Sequence, residues 1–195
     1  MVAAIAINHL LKVVQSSSIG VAYVYCNYKT QEEQDATSLL AAILKQLQAQ
    51  ISLVEPVERL YQQHVSRGTK PSFDEILGAL QSVLANYSTI YVVIDALDEC
   101  QDSNGTRRQF LAKLQDLQAG TDLRLMVTSR FIPEIIEFKE ELRLEVQASN
   151  KDVKRFVAGQ IYRLPKYIQR SSALRDIVQE KIVEAIDGMY VFYLD

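Results

Sequence analysis

Asp95, Asp98 and Glu99 place three carboxylates within five positions, directly after the apolar run Ile90-Tyr91-Val92-Val93-Ile94. A short, unalternating, mostly β-branched run reads as a strand covered on both faces, the kind found inside parallel sheets. Acids at the carboxyl end of such a strand lie at the crevice where open α/β sheets take ligands. In phosphate-handling proteins that position holds magnesium through its waters and polarises the attacking water. Arg130 follows a second apolar run, Leu123 to Thr128, after Ser129. A cation at that tip suits the charge of a transferring phosphoryl group. Plainer readings stand beside both. Acids follow strands because loops are solvated, and Asp is a good turn residue; Arg130 is equally read as a surface arginine beside a turn.

Other reactive residues point to less. Cys100 stands next to Glu99, a setting expected to disfavour the thiolate and so a nucleophilic role. His9 and His64 are isolated in the sequence, and Ser129 has no evident His–acid partners. His64 is expected on a helix surface or half-buried face. Tyr23, Tyr25 and Tyr28 are explained by strand packing more simply than by base stacking, and Lys151, Lys154 and Arg155 as a solvated helix face.

The elements that must position the acids are legible along the chain. Val2 to Gln15 is apolar on nearly every side and predicts a helix enclosed by neighbours, broken by Ser16-Ser17-Ser18. Gly20 to Cys26 is a strand. Asp35 to Ile51 carries Leu39, Leu40, Ile43, Leu44 and Leu47 at helical spacing, with Lys45, Gln46 and Gln48 expected outward. Pro56 opens a short helix through Leu60 and Tyr61, and Gly68 and Pro71 break the chain. Ser72-x-x-Glu75 is a capping box ahead of a helix leading into the central strand. A helix with Phe110, Leu111, Leu114 and Leu117 inward ends near Gly120 and precedes the Leu123 strand. Pro133 starts a short helix through Phe138. Leu142, Leu144 and Val146 then alternate with charged and polar residues, as in a half-buried edge strand. Beyond Gln147 the pattern is helical: one helix from Ser149 carrying Val153, Phe156, Val157 and Ile161, another from Ser172 to Asp187 with Leu174, Ile177, Val178, Ile182, Val183 and Ile186 inward and stopped by Gly188. The expectation is an α/β domain over residues 1–147 with a doubly wound, mostly parallel sheet, then the start of a helical subdomain over 148–195.

Bulk properties limit the partners. The chain has 195 residues, enough to bury a real core. A net charge of −3 gives no electrostatic reason to expect nucleic acid or an anionic membrane. The two cysteines, Cys26 and Cys100, make no disulfide framework or zinc spacing, so a cytoplasmic chain with reduced thiols is expected. Met1 to Leu11 is too short and too polar to span a bilayer.

The segments VAYVYCNYK, QDATSLLAAILKQL, YVVIDALDEC, LRLMVTSR and DGMYVF, in this order, resemble the NACHT-type NTPase domain. The likeness is greatest to the nephrocystin-like N-terminal domains of large fungal NOD-like proteins, which often carry ankyrin or WD40 repeats further on. The resemblance implies a P-loop NTPase sheet, ATP or GTP with Mg2+ as cofactor, and a signalling role through self-association or other protein domains. It makes Asp95 the Walker B carboxylate that meets magnesium through water. Ala96 stands where many related ATPases carry a catalytic Glu. Asp98 and Glu99 become the displaced acidic pair that orients water, and Arg130 becomes the sensor arginine facing the γ-phosphate.

One departure matters. No G-x-x-x-x-G-K-[ST] occurs in the chain, although phosphate cradling needs its glycine-rich backbone, its Lys and its hydroxyl. The family places that motif just before the first helix, so it and the strand feeding it are expected upstream of Met1. Nucleotide affinity is then expected to be weak or nil, with unpaired sheet edges. Three functions compete: a signalling NTPase fragment, a non-hydrolysing interaction module derived from it, and an unrelated metal-dependent α/β enzyme using Asp95, Asp98 and Glu99.

Overall fold

The structure, a computed structural model, describes residues 2–14, 16–52, 54–100, 102, 105–130, 142–145, 149–186 and 191–194. Three parallel strands form its centre: β1 (Ile19–Tyr25), β2 (Thr89–Asp95) and β3 (Leu123–Ser129). β1 pairs with β2 in a register that sets Ile19 against Thr89 and Tyr25 against Asp95. β2 pairs with β3 from Ile90 against Leu123 to Ile94 against Val127. Parallel neighbours require crossover helices. These are α2 (Ala36–Gln48), α3 (Glu55–Arg67) and α4 (Phe73–Leu84) between β1 and β2, and α5 (Thr106–Gln118) between β2 and β3. Short strands β4 (Leu142–Glu145) and β5 (Val191–Leu194) extend the order to β1-β2-β3-β5-β4. The expected edge strand from Leu142 is therefore outermost.

The chain divides into two compact units, residues 1–143 with 192–195, and residues 144–191. In the second, Ser149 caps α6 (Asn150–Gln160) by accepting the Asp152 N–H at 3.2 Å, and Val153 and Val157 are its buried positions. Phe156 is exposed. Short α7 (Lys166–Arg170) and then α8 (Ser172–Ile186) follow, and Leu174 and Ile177 of α8, expected inward, are exposed. The helix expected from Pro133 through Phe138, the residues Val146 and Gln147, and the Gly188 stop lie outside the described residues. No helix among the described residues is long and apolar enough to cross a membrane.

One face of the β1–β3 sheet meets the main core, in which Leu40, Ile43, Leu47, Leu80, Ile90, Ile94 and Phe110 are essentially inaccessible. Gly20 suits that closeness, because a Cβ there would lie 2.8 Å from Leu47 Cδ2 and 3.2 Å from the Tyr87 ring, and a neighbour would have to shift. Tyr87 in turn donates its hydroxyl to Leu47 O at 2.6 Å. On the opposite face α1 (Val2–Val13) packs Ala3 and Ile7 on Val93. This corrects the expectation of an enclosed first helix: Ile5, Leu11 and Val13 are more than half exposed. Its apolar circumference exceeds the one sheet face it can reach.

A second correction concerns α2. Gln46, expected outward, turns onto the free edge of β1, accepting the Tyr23 N–H at 3.1 Å and donating to Tyr23 O at 2.7 Å. Gln50 does the same to Val21, at 3.0 and 2.7 Å. Gln34 donates to Tyr25 O at 3.1 Å and accepts the Asn27 N–H at 3.0 Å. Side-chain amides thus stand where a neighbouring strand would pair. The outer edge of β1 is satisfied at these residues, whose orphan backbone groups would otherwise be costly. Gln48, also expected outward, likewise turns to backbone, donating to Ser52 O at 3.1 Å and accepting the Val54 N–H at 3.3 Å.

The capping box forms as expected, with the Ser72 side chain accepting the Glu75 N–H and Glu75 accepting the Ser72 N–H at 2.8 Å. Those Ser72 bonds lower the Glu75 pKa from its ordinary 4.5. A carboxylate whose folded pKa is depressed stabilises the fold above its unfolded pKa and loses that contribution as pH falls through the folded value. Chemical denaturation of the protein should therefore show a stability loss below pH about 4.5, and Glu75→Gln should flatten it. Gln46→Leu keeps size and helix propensity but strips Tyr23 of both partners, and is expected to cost about 1–3 kcal/mol in urea unfolding.

Candidate functional site

The four singled-out side chains gather at the carboxyl ends of β2 and β3. Asp95 is the last residue of β2, and Arg130 follows the last residue of β3. Between Asp95 and the next turn, Ala96 adopts φ 56°, ψ 49°, the one non-glycine residue with positive φ among those described. A β-carbon opposes that left-handed conformation by about 1–2 kcal/mol, so something must hold it. Two contacts do. The Ala96 N–H donates to Thr128 Oγ1 at 2.9 Å, and Leu97, the next residue, is completely buried.

The reversal at Ala96 starts a single 3-10 turn, Leu97–Glu99, closed by the Glu99 N–H on Ala96 O at 2.8 Å. The three acids then separate onto different partners. Thr128 Oγ1 donates to Asp95 Oδ1 at 2.5 Å. Asp98 takes the Arg130 backbone N–H at 3.0 Å and its Nε at 2.5 Å. Glu99 accepts the Tyr28 N–H at 3.2 Å, beyond the end of β1. The Asp98 side chain is 10% exposed and Arg130 60%, so solvent screens the arginine's half of the pair and its worth is modest. It is a positioning contact: it fixes the turn after β2 to the exit of β3. Among the described residues no three His, Cys, Asp or Glu side chains converge to hold a metal ion.

Sequence reasoning missed Thr128, whose hydroxyl serves Asp95 and Ala96 together. The available signal was a hydroxyl at the tip of a strand parallel to the acid-tipped one. It also misjudged Cys100. The Cys26 thiol hydrogen bonds to it and Arg107 lies near, and both lower its pKa, against burial and Asp102. The acidic neighbour in sequence is outweighed by neighbours in space. His64 is half-buried on α3, with Nδ1 2.8 Å from Thr69 Oγ1 and Nε2 3.3 Å from Glu75; it ties α3 to α4 far from the acids in the chain. A cleft of about 260 Å³ lined by His9, Leu10, Tyr91, Arg124 and Met126 lies between α1 and the sheet. Tyr91 and Arg124 place it toward the amino ends of β2 and β3, away from Asp95.

A family model described as nephrocystin 3, N-terminal, matches residues 1–130. The chain belongs to the nephrocystin 3 N-terminal family. The matched span ends on Arg130 and so contains all four candidate residues of this nephrocystin-like domain. No curated protein and no solved structure matches the chain.

Thr128→Val, nearly isosteric, removes a donor from Asp95 and an acceptor from the Ala96 N–H. Thr128 is 6% exposed, so water cannot easily replace it. Urea unfolding should show a loss of about 2–3 kcal/mol, where a comparable change at an exposed threonine would lie within about 0.5 kcal/mol.

Proposed function

We propose that the chain is part of a NACHT-like nucleotide switch of the P-loop class, working within a cytoplasmic NOD-like signalling protein. One observation carries the reading: an acid-tipped strand and an arginine-tipped strand lie side by side and end on the same side of the sheet. That is the crevice side of an open α/β sheet. In this reading Asp95 meets the hydration shell of a nucleotide's magnesium, Asp98 and Glu99 orient water, and Arg130 addresses the terminal phosphate. Magnesium, when bound with ATP or GTP, supplies neutralisation of phosphate charge. The chain's own residues do the positioning. Thr128 aims Asp95, and Asp98 holds Arg130 at the exit of β3 until a phosphate competes for it. Nucleotide state would then govern self-association or docking of other protein domains.

A second reading is favoured by a specific observation. Asp98 already pairs with Arg130, which suits a module that keeps the fold for protein–protein contact and does not hydrolyse.

Calorimetry on the chain with Mg–ATP and Mg–GTP should show no micromolar binding, since the loop that cradles phosphates is absent. Joined to an in-frame upstream segment carrying that loop, the domain should hydrolyse nucleotide. Asp95→Asn should then slow kcat by about 100-fold or more while far-UV circular dichroism stays unchanged. An unaltered rate removes Asp95 from the mechanism, and no hydrolysis in the joined protein favours the second reading.

A further inference from the structure

Cys26 follows the end of β1 and Cys100 follows the turn after β2, yet they meet. The Cys26 N–H donates to Asp95 O at 2.9 Å, extending the β1–β2 ladder one residue past Tyr25. Cys100 closes the turn after β2 through its N–H on Leu97 O at 3.1 Å. Both are free thiols, 6% and 2% exposed, and their side chains hydrogen bond to each other. The two are chemically unequal. Cys26 is raised by the Cys100 contact, burial, Asp95 and Asp98, whereas Cys100 is lowered by the Cys26 hydrogen bond and by Arg107. The hydrogen bond places the two sulfurs within reach of each other, and Arg107 lies on the Cys100 side of the pair.

We propose that Cys26 and Cys100 form a peroxide-oxidisable dithiol whose disulfide clamps the exit of β1 to the turn that presents Asp98 and Glu99. Burial selects the oxidant, because a small peroxide can reach sulfurs that a bulky disulfide cannot. The Cys100 thiolate attacks one oxygen of hydrogen peroxide; the O–O bond breaks, the departing hydroxide takes a proton and leaves as water, and Cys100 becomes a sulfenic acid. The Cys26 sulfur then attacks the Cys100 sulfur. The S–O bond breaks, and the Cys26 proton leaves with the hydroxide as a second water. Two thiols lose two electrons and one peroxide becomes two waters. The sulfurs move from hydrogen-bond contact to about 2.05 Å. This motion draws the turn toward β1, on the side where Glu99 already holds the Tyr28 N–H. The dithiol stands on its own geometry and does not depend on nucleotide binding.

The test uses the full chain, treated with a small excess of hydrogen peroxide, then denatured, alkylated and weighed intact. The expected result is a loss of about 2 Da with neither cysteine alkylated, reversed by dithiothreitol. Peptide mapping should join the Cys26 and Cys100 peptides, and the oxidised protein should melt several degrees higher. Cys26→Ser should abolish the loss of mass and let Cys100 proceed to the sulfinic acid, a gain of about 32 Da. Full alkylation of both thiols after peroxide, disulfide-linked dimers, or sulfinic acid at Cys100 in the unaltered chain would each overturn the proposal. Mapping of the unaltered chain decides the matter even if the serine variant fails to fold.

Discussion

The left-handed backbone at Ala96 is the constraint on which the acid end of the sheet depends. Without it β2 would continue straight and Asp98 and Glu99 would project past the sheet. With it the chain doubles back into one turn, whose members reach the exits of both flanking strands. The conformation is unfavourable for alanine and persists because it is over-determined. Thr128 accepts the Ala96 N–H, Leu97 fills the core, and Asp98 is gripped from β3 by both backbone and guanidinium. Strain that a structure holds in place this firmly tends to mark a functional turn.

The parallel registers make that convergence possible. Tyr25 against Asp95, and Ile94 against Val127, bring three strand exits level with one another. Tyr28, Asp95, Cys100, Thr128 and Arg130 thereby become neighbours, though they span a hundred positions of sequence. The two sheet faces are treated differently. The core side is sealed by large aliphatic residues, whereas the α1 side leaves tyrosines and much of α1 in contact with solvent.

How much of this was legible in the sequence depended on the range of the interaction. The Ser72–Glu75 box, the helix at Asp35 and the strand runs before Asp95 and Ser129 rest on contacts a few residues apart, and local pattern suffices for these. The gathering of Asp95 with Arg130 was accessible only through the logic of parallel strands. Helical periodicity described Gln46 as solvent-facing because it sees one helix and not the strand edge beside it. It described α1 as enclosed because composition reports what a helix would prefer and not what is available to cover it. Cys100 was judged by Glu99, its neighbour in the chain, whereas Cys26 and Arg107 are its neighbours in space. Thr128 was legible only by pairing two strand tips, since a threonine ending a strand is ordinary by itself.

The glutamines along β1 have one more consequence. An amide is a small side-chain group that offers a donor and an acceptor together, as a peptide unit does, and Val21 and Tyr23 each engage both. Hydrolysis of such an amide to a carboxylate deletes the donor and sets a negative oxygen against a carbonyl oxygen. Chemical ageing at Gln46 or Gln50 would therefore turn an attraction into a repulsion on the sheet's outermost rail, and free that rail to zip onto another molecule.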